Sequence, residues 1–563
     1  MSASPAPQRN HAASGGFARL MPPRLLAFAA VLAAALAAAP AARAARVPEF
    51  TVTLPGDATT ASVHADSHNW IVGAVAGRRA AAVAKHFGAR RFGLAQIGNY
   101  LVPRARARAF AAALRSRHLL LYAQANTLRV RNDPLSGPPN AWRSFVVSPS
   151  INPPRVTKNS PLIALVDTPA LPTHPEWTRD THFATTGNGV PFDLHGTATA
   201  AVAAAPKNKI GILGVWPGAR TLNVATGAPT GITCQQSADG IAAAIQRIVA
   251  TPSPRNPHAP GVINMSYGAE NSLCIPEYAE LEVATALGIV PVAAVGNEAQ
   301  KGSPLEFPAS LPHVLTVGAT GPDDTRTFFS NLSPAIDLAA PGIGIETAVP
   351  PAFDTDGTAD GYSPESGTSF SAPMVSAAVA WIEQARPGLR ADQVAQVVRR
   401  SARDVETRGW DVGSGFGVLD IDRALRKRAP AHDVLEPNEN MFWVTALHER
   451  FVWRGRGRGR VAASVNPWED PLDVYRIRIP AHRRARITAV PRVTGIRLLA
   501  FDHLATSVND TAHQVASSQR PGRRTERVTL RNRSSRAQTF YVDVESHGVS
   551  LSRDIHYTLR FRR

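Results

Sequence analysis

Three patterns of apolar and polar positions divide the chain. From Trp70 the order reads strand (WIVGAV), helix (GRRAAAVAKHFG), extended segment (FGLAQIGNYLV), helix (ARARAFAAALRSR) and strand (HLLLYAQAN), which predicts a small α+β unit. A polar, proline-rich stretch from Asn126 to Pro154 follows and reads as a linker. From Leu162 short apolar runs (LIALV, TLNVA, GVINMS, GIVPVAAV, HVLTVGA) alternate with alanine-rich helical segments (SADGIAAAIQRIVA, PEYAELEVATALG, SFSAPMVSAAVAWIEQA). That alternation predicts an α/β domain, a parallel sheet flanked by helices on both faces. Beyond Arg428 strict period-two segments appear, VYRIRI, FYVDVES and YTLRF, separated by turn residues, and predict an antiparallel β-sandwich. The run RGRGRGR, Arg454 to Arg460, has no interleaved aromatic residue and reads as a loop.

Length and charge narrow the classes. At 563 residues the chain is too long for one core. Its 61 Lys and Arg against 43 Asp and Glu give a net charge of +18. The arginines are spread rather than gathered on one face, which argues for a solvated basic surface and against specific nucleic-acid binding. Arg19 and Arg24, the apolar run Leu25 to Ala39, and Ala42-Arg43-Ala44 follow the order of a secretory signal, residues 1–44. The run falls short of the ~20 residues of a spanning helix, so secretion rather than a retained anchor is expected. In an oxidising compartment Cys234 and Cys274 are expected to pair. Each follows a predicted parallel strand, and if the two strands are neighbours both cysteines lie at one sheet edge.

Candidate chemistry sits where polar residues interrupt buried patterns. Asp167 ends the apolar strand LIALVD, His195 opens the helix HGTATAAVAAA with Gly196 leaving room beside its ring, and Ser369 begins a helix behind Gly367. Singly, these residues have plain structural roles open to them: a turn, a helix cap, an N-cap hydroxyl. Jointly they supply a hydroxyl nucleophile, a base and a carboxylate that orients the base, at the carboxyl edge of a parallel sheet.

In these segments the chain resembles the subtilisin-like serine proteases, the subtilase family. The Asp, His, Ser order is that family's, and VDTPALPTHPEW, HGTATAAVAAA and GTSFSAPMVSAA are similar to its three catalytic motifs. INMSYG, AAVGNEA, FPASLPHVLTVGA and FSNLSPAIDLAAPG match further family segments in the same order, so the resemblance spans Pro161 to Arg428. Pro169, Leu194, Ala198 and Met374 depart from the motifs without removing a catalytic group.

The resemblance implies a secreted endopeptidase with Asp167, His195 and Ser369 as triad and Asn297, with the Ser369 N–H, in the oxyanion hole. Ser266, Tyr267 and Gly268 are implied to pair with extended substrate. Glu306 is implied at the floor of the primary specificity pocket, favouring Arg or Lys before the scissile bond; the alternative is that it points to solvent. Residues 45–130 are similar to the inhibitory propeptides of βαββαβ fold that precede such enzymes, with Arg129 and Arg131 near the expected self-cleavage point. Residues 131–428 form the expected catalytic domain and 429–563 the C-terminal one, in which Asp433 to Arg563, opening DVLEPNEN, looks like the β-sandwich appended to many secreted bacterial peptidases. The expected partners are protein or peptide substrates and the chain's own propeptide, on a monomer with no membrane attachment after signal removal. No cofactor or metal ligand set is legible, although such folds often hold calcium. A silent scaffold and a transpeptidase or peptide cyclase are the competing classes. The intact Asp167, His195, Asn297 and Ser369 oppose the first, and the lack of an evident helical insertion opposes the second.

Overall fold

The computed structural model describes residues 65–94, 98–131, 142–148, 150–177, 182–187, 189–250, 261–433, 435–446, 451–493, 495–547 and 554–563. The signal-like segment 1–44 lies outside them. Among the described residues no helix is long and apolar enough to cross a membrane.

The N-terminal unit has the βαββαβ order expected: β1 (Ala65–Ala74), α1 (Arg78–Phe87), β2 (Arg90–Phe92), β3 (Gly98–Pro103), α2 (Arg104–Arg115) and β4 (Leu120–Arg131). Antiparallel pairing gives the order β4-β1-β3-β2. Its core is small, Val72, Tyr100 and Val102 against Ala80 and Ala84 of α1 and Phe110 and Leu114 of α2. The strand β4 runs on to Arg131, so residues 126–131 are strand rather than linker. The end of the expected linker also belongs to the next unit, because Trp142, Val146 and Val147 are buried in that unit's core.

The central unit is built on a seven-stranded parallel sheet. Its strands are β5 (Leu162–Asp167), β6 (Phe183–Thr185), β7 (Thr221–Ala225), β9 (Gly261–Met265), β11 (Ile289–Ala294), β13 (Leu315–Thr320) and β14 (Leu338–Pro341), ordered β14-β13-β11-β9-β5-β7-β6. Residues of β5 alternate between two cores, which is why its sequence is apolar at successive positions. Ile163 and Leu165 pack with α3 (His195–Ala204) and α6 (Thr368–Ala385). Ala164 and Val166 pack with α4 (Cys234–Val249) and α5 (Ile275–Ala286) on the opposite face. The short strands β8 (Ile232–Thr233), β10 (Tyr267–Glu270) and β12 (Glu306–Phe307) lie outside this sheet, and β15 (Ile345–Ala348) pairs with β16 (Tyr362–Glu365) as a hairpin leading into α6. Two helices, α7 (Ala391–Ser401) and α8 (Ile421–Arg426), complete the α6 face.

Cys234 and Cys274 form a disulfide. The expected reason was incomplete: β7 and β9 are not neighbours, since β5 runs between them. The cysteines meet because Cys234 is the first residue of α4 and Cys274 the N-cap of α5, two helices that pack side by side. Thr233 starts α4 with a capping box closed by Gln236.

The C-terminal unit packs two four-stranded antiparallel sheets around one apolar core, as the alternation predicts. The basic run is not all loop. Arg458 to Arg460 open an edge strand, Arg458–Val465, because their backbone pairs with 560–562 of the last strand while their charged ends remain outside. Ahead of the sandwich, α9 (Met441–Ala446) brings Trp443 against Tyr278 of α5, ring centroids 6.2 Å apart.

Candidate active site

Strand alternation positions the first candidate. Asp167 follows Ile163 and Leu165 on the α3 face of β5, which sets its carboxylate beside the first residue of α3. His195 Nδ1 lies 2.6 Å from Asp167 Oδ1, and both residues are buried. The same oxygen accepts from the Thr168 N–H at 2.7 Å, and Oδ2 accepts from the Thr199 hydroxyl at 2.9 Å. A buried carboxylate so surrounded by donors is held in one orientation. With Nδ1–H donating to Asp167, Nε2 is the basic nitrogen of the ring. Nε2 is buried and has no hydrogen-bond partner among the described residues. The geometry revises the expected role of Gly196: a Cβ there would fall 1.9 Å from the Thr168 carbonyl, so this glycine admits the loop after β5 rather than making room for the imidazole.

Ser369 is the second residue of α6, where the first four N–H groups have no acceptor within the helix and the helix dipole is positive. Its hydroxyl donates to the Ser266 carbonyl at 3.3 Å, and the Ser266 hydroxyl donates back to the Ser369 carbonyl at 2.9 Å. Behind them Asn264 Nδ2 donates to Ser266 Oγ at 3.0 Å and Ser376 donates to Asn264 Oδ1 at 2.9 Å, a buried polar chain that fixes the serine loop against β9. Phe370 places its ring 6.2 Å from that of His195. Asn297 follows β11 through Gly296, whose φ of 103° suits glycine. Its carboxamide oxygen accepts from both the N–H and the hydroxyl of Thr368, each at 2.9 Å, which makes the amide nitrogen the donor end beside Ser369.

The edge of Ser266, Tyr267 and Gly268, expected from the sequence to pair with substrate, is occupied by the chain itself. The strand β4 lies between β10 and β8, with Arg131 opposite Tyr267, Val130 opposite Gly268, Arg129 opposite Ile232 and Leu128 opposite Thr233. Tyr267, opposite Arg131, is the neighbour of Ser266, whose carbonyl holds the Ser369 hydroxyl.

Glu306 is buried rather than turned to solvent. A Cβ at Gly268 would lie 2.4 Å from its Oε2, and one at Gly296 would lie 2.6 Å from its Cγ, so the carboxylate sits between two side-chain-free backbones, one of them next to Asn297 and the other in β10. Oxygens of Glu270, Glu298 and Glu306 lie within 4.8 Å of one another. Sequence reading found Glu306 but not this company, which depends on the β10–β12 pairing that sets Glu270 opposite Glu306. It also missed Glu365, the last residue of β16. Burial raises the Glu365 carboxyl, opposed by a hydrogen bond from Ser363 and by the charge of His195. Its place four residues before Ser369 was the available signal.

With fold and site in view, the comparisons with known proteins agree. The subtilase family model matches residues 158–417. Subtilisin DY of Bacillus licheniformis is 30% identical over 248 residues, covering 43% of this chain and 80% of that protein. Alkaline elastase YaB of Bacillus sp. (strain YaB) is 30% identical over 240 residues, 43% of this chain and 56% of that one. Fervidolysin of Fervidobacterium pennivorans is 31% identical over 262 residues, 43% of this chain and 36% of it. The chain thus matches little more than half of the second relative's length and about a third of the third's. The crystal structure of fervidolysin, described as a keratinolytic enzyme related to subtilisin, superposes with a TM-score of 0.54 at 17% identity, over 92% of this chain and 99% of the other, which shows a common fold. The chain belongs to the subtilase family, that of the subtilisin-like serine proteases.

Proposed function

We propose that this protein is a secreted serine endopeptidase that cleaves peptide bonds through an acyl-enzyme on Ser369. The observation that carries the reading is the buried 2.6 Å pair of Asp167 and His195 beside a serine at the start of α6. In this mechanism the Ser369 hydroxyl leaves the Ser266 carbonyl and gives its proton to His195 Nε2 as Oγ attacks the scissile carbonyl. Asp167, held by Thr168 and Thr199, keeps the imidazole in the required tautomer and stabilises its protonated form. The Asn297 amide and the Ser369 N–H donate to the oxyanion. His195 then returns the proton to the leaving amine, and water repeats the sequence to release the acid. Ser266, Tyr267 and Gly268 hold extended substrate by backbone pairing, and the three-carboxylate group at Glu306 favours a basic residue before the scissile bond.

The position of β4 supports a propeptide role for the N-terminal unit. It occupies the edge that substrate would need, with Arg131 opposite Tyr267, the neighbour of the Ser266 whose carbonyl holds the nucleophile. The test is labelling of secreted protein with a serine-directed fluorophosphonate and N-terminal sequencing of the labelled band. Labelling that requires Ser369 and His195, on a chain shortened at its N-terminus, is the expected result. A secreted parent chain that takes up no label refutes the activity.

A further inference from the structure

The seam between the central and C-terminal units gathers acidic side chains away from the arginines that abound elsewhere. The segment DVLEPNEN carries Glu436, Asn438 and Glu439, and the turn before the strand Leu472–Ile479 carries Asp470, with Asp473 just inside the strand. Carboxylate oxygens of Glu436, Glu439 and Asp470 lie within 4.8 Å of one another. Both carboxylate oxygens of Glu436, one each of Glu439, Asp470 and Asp473, and both ends of the Asn438 carboxamide are buried without a hydrogen-bond partner among the described residues. Asn438 and Asp473 are 0% exposed and Glu439 6%, so solvent does not satisfy them. The Val474 N–H donates to the Asn438 carbonyl at 2.9 Å, which sets Asn438 against Asp473.

Only one cationic side chain among the described ion pairs reaches this group. His313, from the loop before β13, hydrogen-bonds Glu439 and lies 3.6 Å from Glu436. Arg399 instead pairs with Asp337 at 2.9 Å and Glu469 at 3.4 Å. Four carboxylates facing one imidazolium leave excess negative charge in a buried place, and such charge is costly unless a cation or protons neutralise it. Each proton would discharge one carboxylate and make it a single hydrogen-bond donor, whereas one cation draws several of these oxygens, the Asn438 oxygen included, to the same point. The donors offered are oxygens only, carboxylates and the carboxamide oxygen, a hard set from two chain segments that suits calcium's large and adaptable coordination shell. His313 is not among the ligands, because its Nε2 is engaged with Glu439.

We propose that this pocket is a calcium site, ligated by Glu436, Glu439 and Asp470 with Asp473 and Asn438 adding oxygens. The ion fastens the C-terminal unit to the central one, because Glu439 is shared between calcium and His313. The test uses the full chain carrying Ser369→Ala, so that it does not digest itself, stripped with a chelator and titrated with terbium. Trp443 and Trp468, in the two segments that supply the ligands, sensitise the emission. Calcium is expected to displace the sensitised terbium where equimolar magnesium does not. Glu436→Gln and Asp470→Asn are each expected to weaken terbium and calcium binding by roughly tenfold or more, and to shrink the rise in melting temperature that calcium gives. Absence of calcium-displaceable emission from the parent chain overturns the site whether or not the variants fold. Unchanged affinity in both variants overturns it too, by placing the ion elsewhere.

Discussion

Replacing Glu306 by glutamine keeps the shape of the side chain and removes its charge, so the consequences fall on specificity. The carboxylate is buried between Gly268 and Gly296, beneath the edge where β4 now lies, with Glu270 and Glu298 beside it. A guanidinium drawn to about 4 Å from one carboxylate gains about 4 kcal/mol at an effective dielectric constant of about 20. Glutamine keeps a neutral hydrogen bond about half as strong, and Glu298 and Glu270 remain, so the net loss is about 2 kcal/mol. That corresponds to a fall of about 30-fold in kcat/KM for a peptide with Arg before the scissile bond. The partner peptide with Leu in that position gains no charged contact and should be cut as well as before or better. The assay is a pair of fluorogenic peptides differing in that residue alone, measured with parent and Glu306→Gln. The reasoning fails if the parent prefers Leu or Phe, or if both peptides lose rate equally, since a uniform loss reports damage to the triad rather than to the pocket.

Other outcomes follow from the same geometry. Asn297→Ala should lower kcat by about 10²–10³-fold with folding unchanged, the range the handled-by-one-donor oxyanion contact gives in subtilisin itself, and an unaltered kcat excludes Asn297 from the oxyanion hole. Thr199→Val removes one donor from the buried Asp167 and should cost about 1.5–3 kcal/mol of stability, read by urea unfolding; a change below 0.5 kcal/mol, about the noise of surface substitutions, contradicts the role assigned to that hydrogen bond. Removing the Cys234–Cys274 bridge by a double serine substitution frees a closed loop of 40 residues and should destabilise the chain by about 4 kcal/mol, seen as a lower melting temperature in non-reducing buffer. Ser369→Ala should leave the N-terminal unit attached, while N-terminal sequencing of the mature parent should begin at Asn132 or Asp133, just after Arg131, which pairs with the neighbour of Ser266; a start far from that point contradicts the register argument.

The architecture was legible wherever burial imposes a period. Strands LIALV, TLNVA, GVINMS, GIVPVAAV and HVLTVGA all stand in the parallel sheet, because a strand covered on both faces must be apolar throughout. The short β6 and the β14 edge were not legible, since Phe183–Thr185 has no apolar run and Leu338–Pro341 reads as a loop segment. Asp167, His195 and Ser369 stand out in the sequence because each interrupts such a pattern. The polar chain of Ser376, Asn264 and Ser266 does not, because those residues come from separate elements and only the fold brings them into contact. The same holds for the acidic group of the seam: 433–440 and 469–473 lie apart in sequence, and neither alone has the spacing of a calcium loop.

Burial of charge connects the two acidic groups and also separates them. In so basic a chain carboxylates ordinarily find arginines, as Asp337 finds Arg399 and Asp554 finds Arg400. Glu383 shows the other simple outcome: buried in α6 without a charged partner among the described residues, its carboxyl is raised well above the ordinary carboxylate range by burial. Converging carboxylates differ from an isolated one, because their oxygens surround one space that a single cation fills. At the Glu306 group that space borders the substrate edge and Asn297, and Glu270 at its exposed end already meets a lysine, Lys301, at 3.4 Å. On the proposed specificity, a cation arriving there comes on a substrate side chain and leaves with the product. At the Glu436 group the space is enclosed between two packed units and next to no substrate-binding residue, so its cation comes from solution and stays. Chelation should therefore loosen the C-terminal unit while the ratio of rates for Arg and Leu peptides, measured on the molecules still folded, is unchanged. A preference that fell in step with calcium removal would show instead that one ion serves both places.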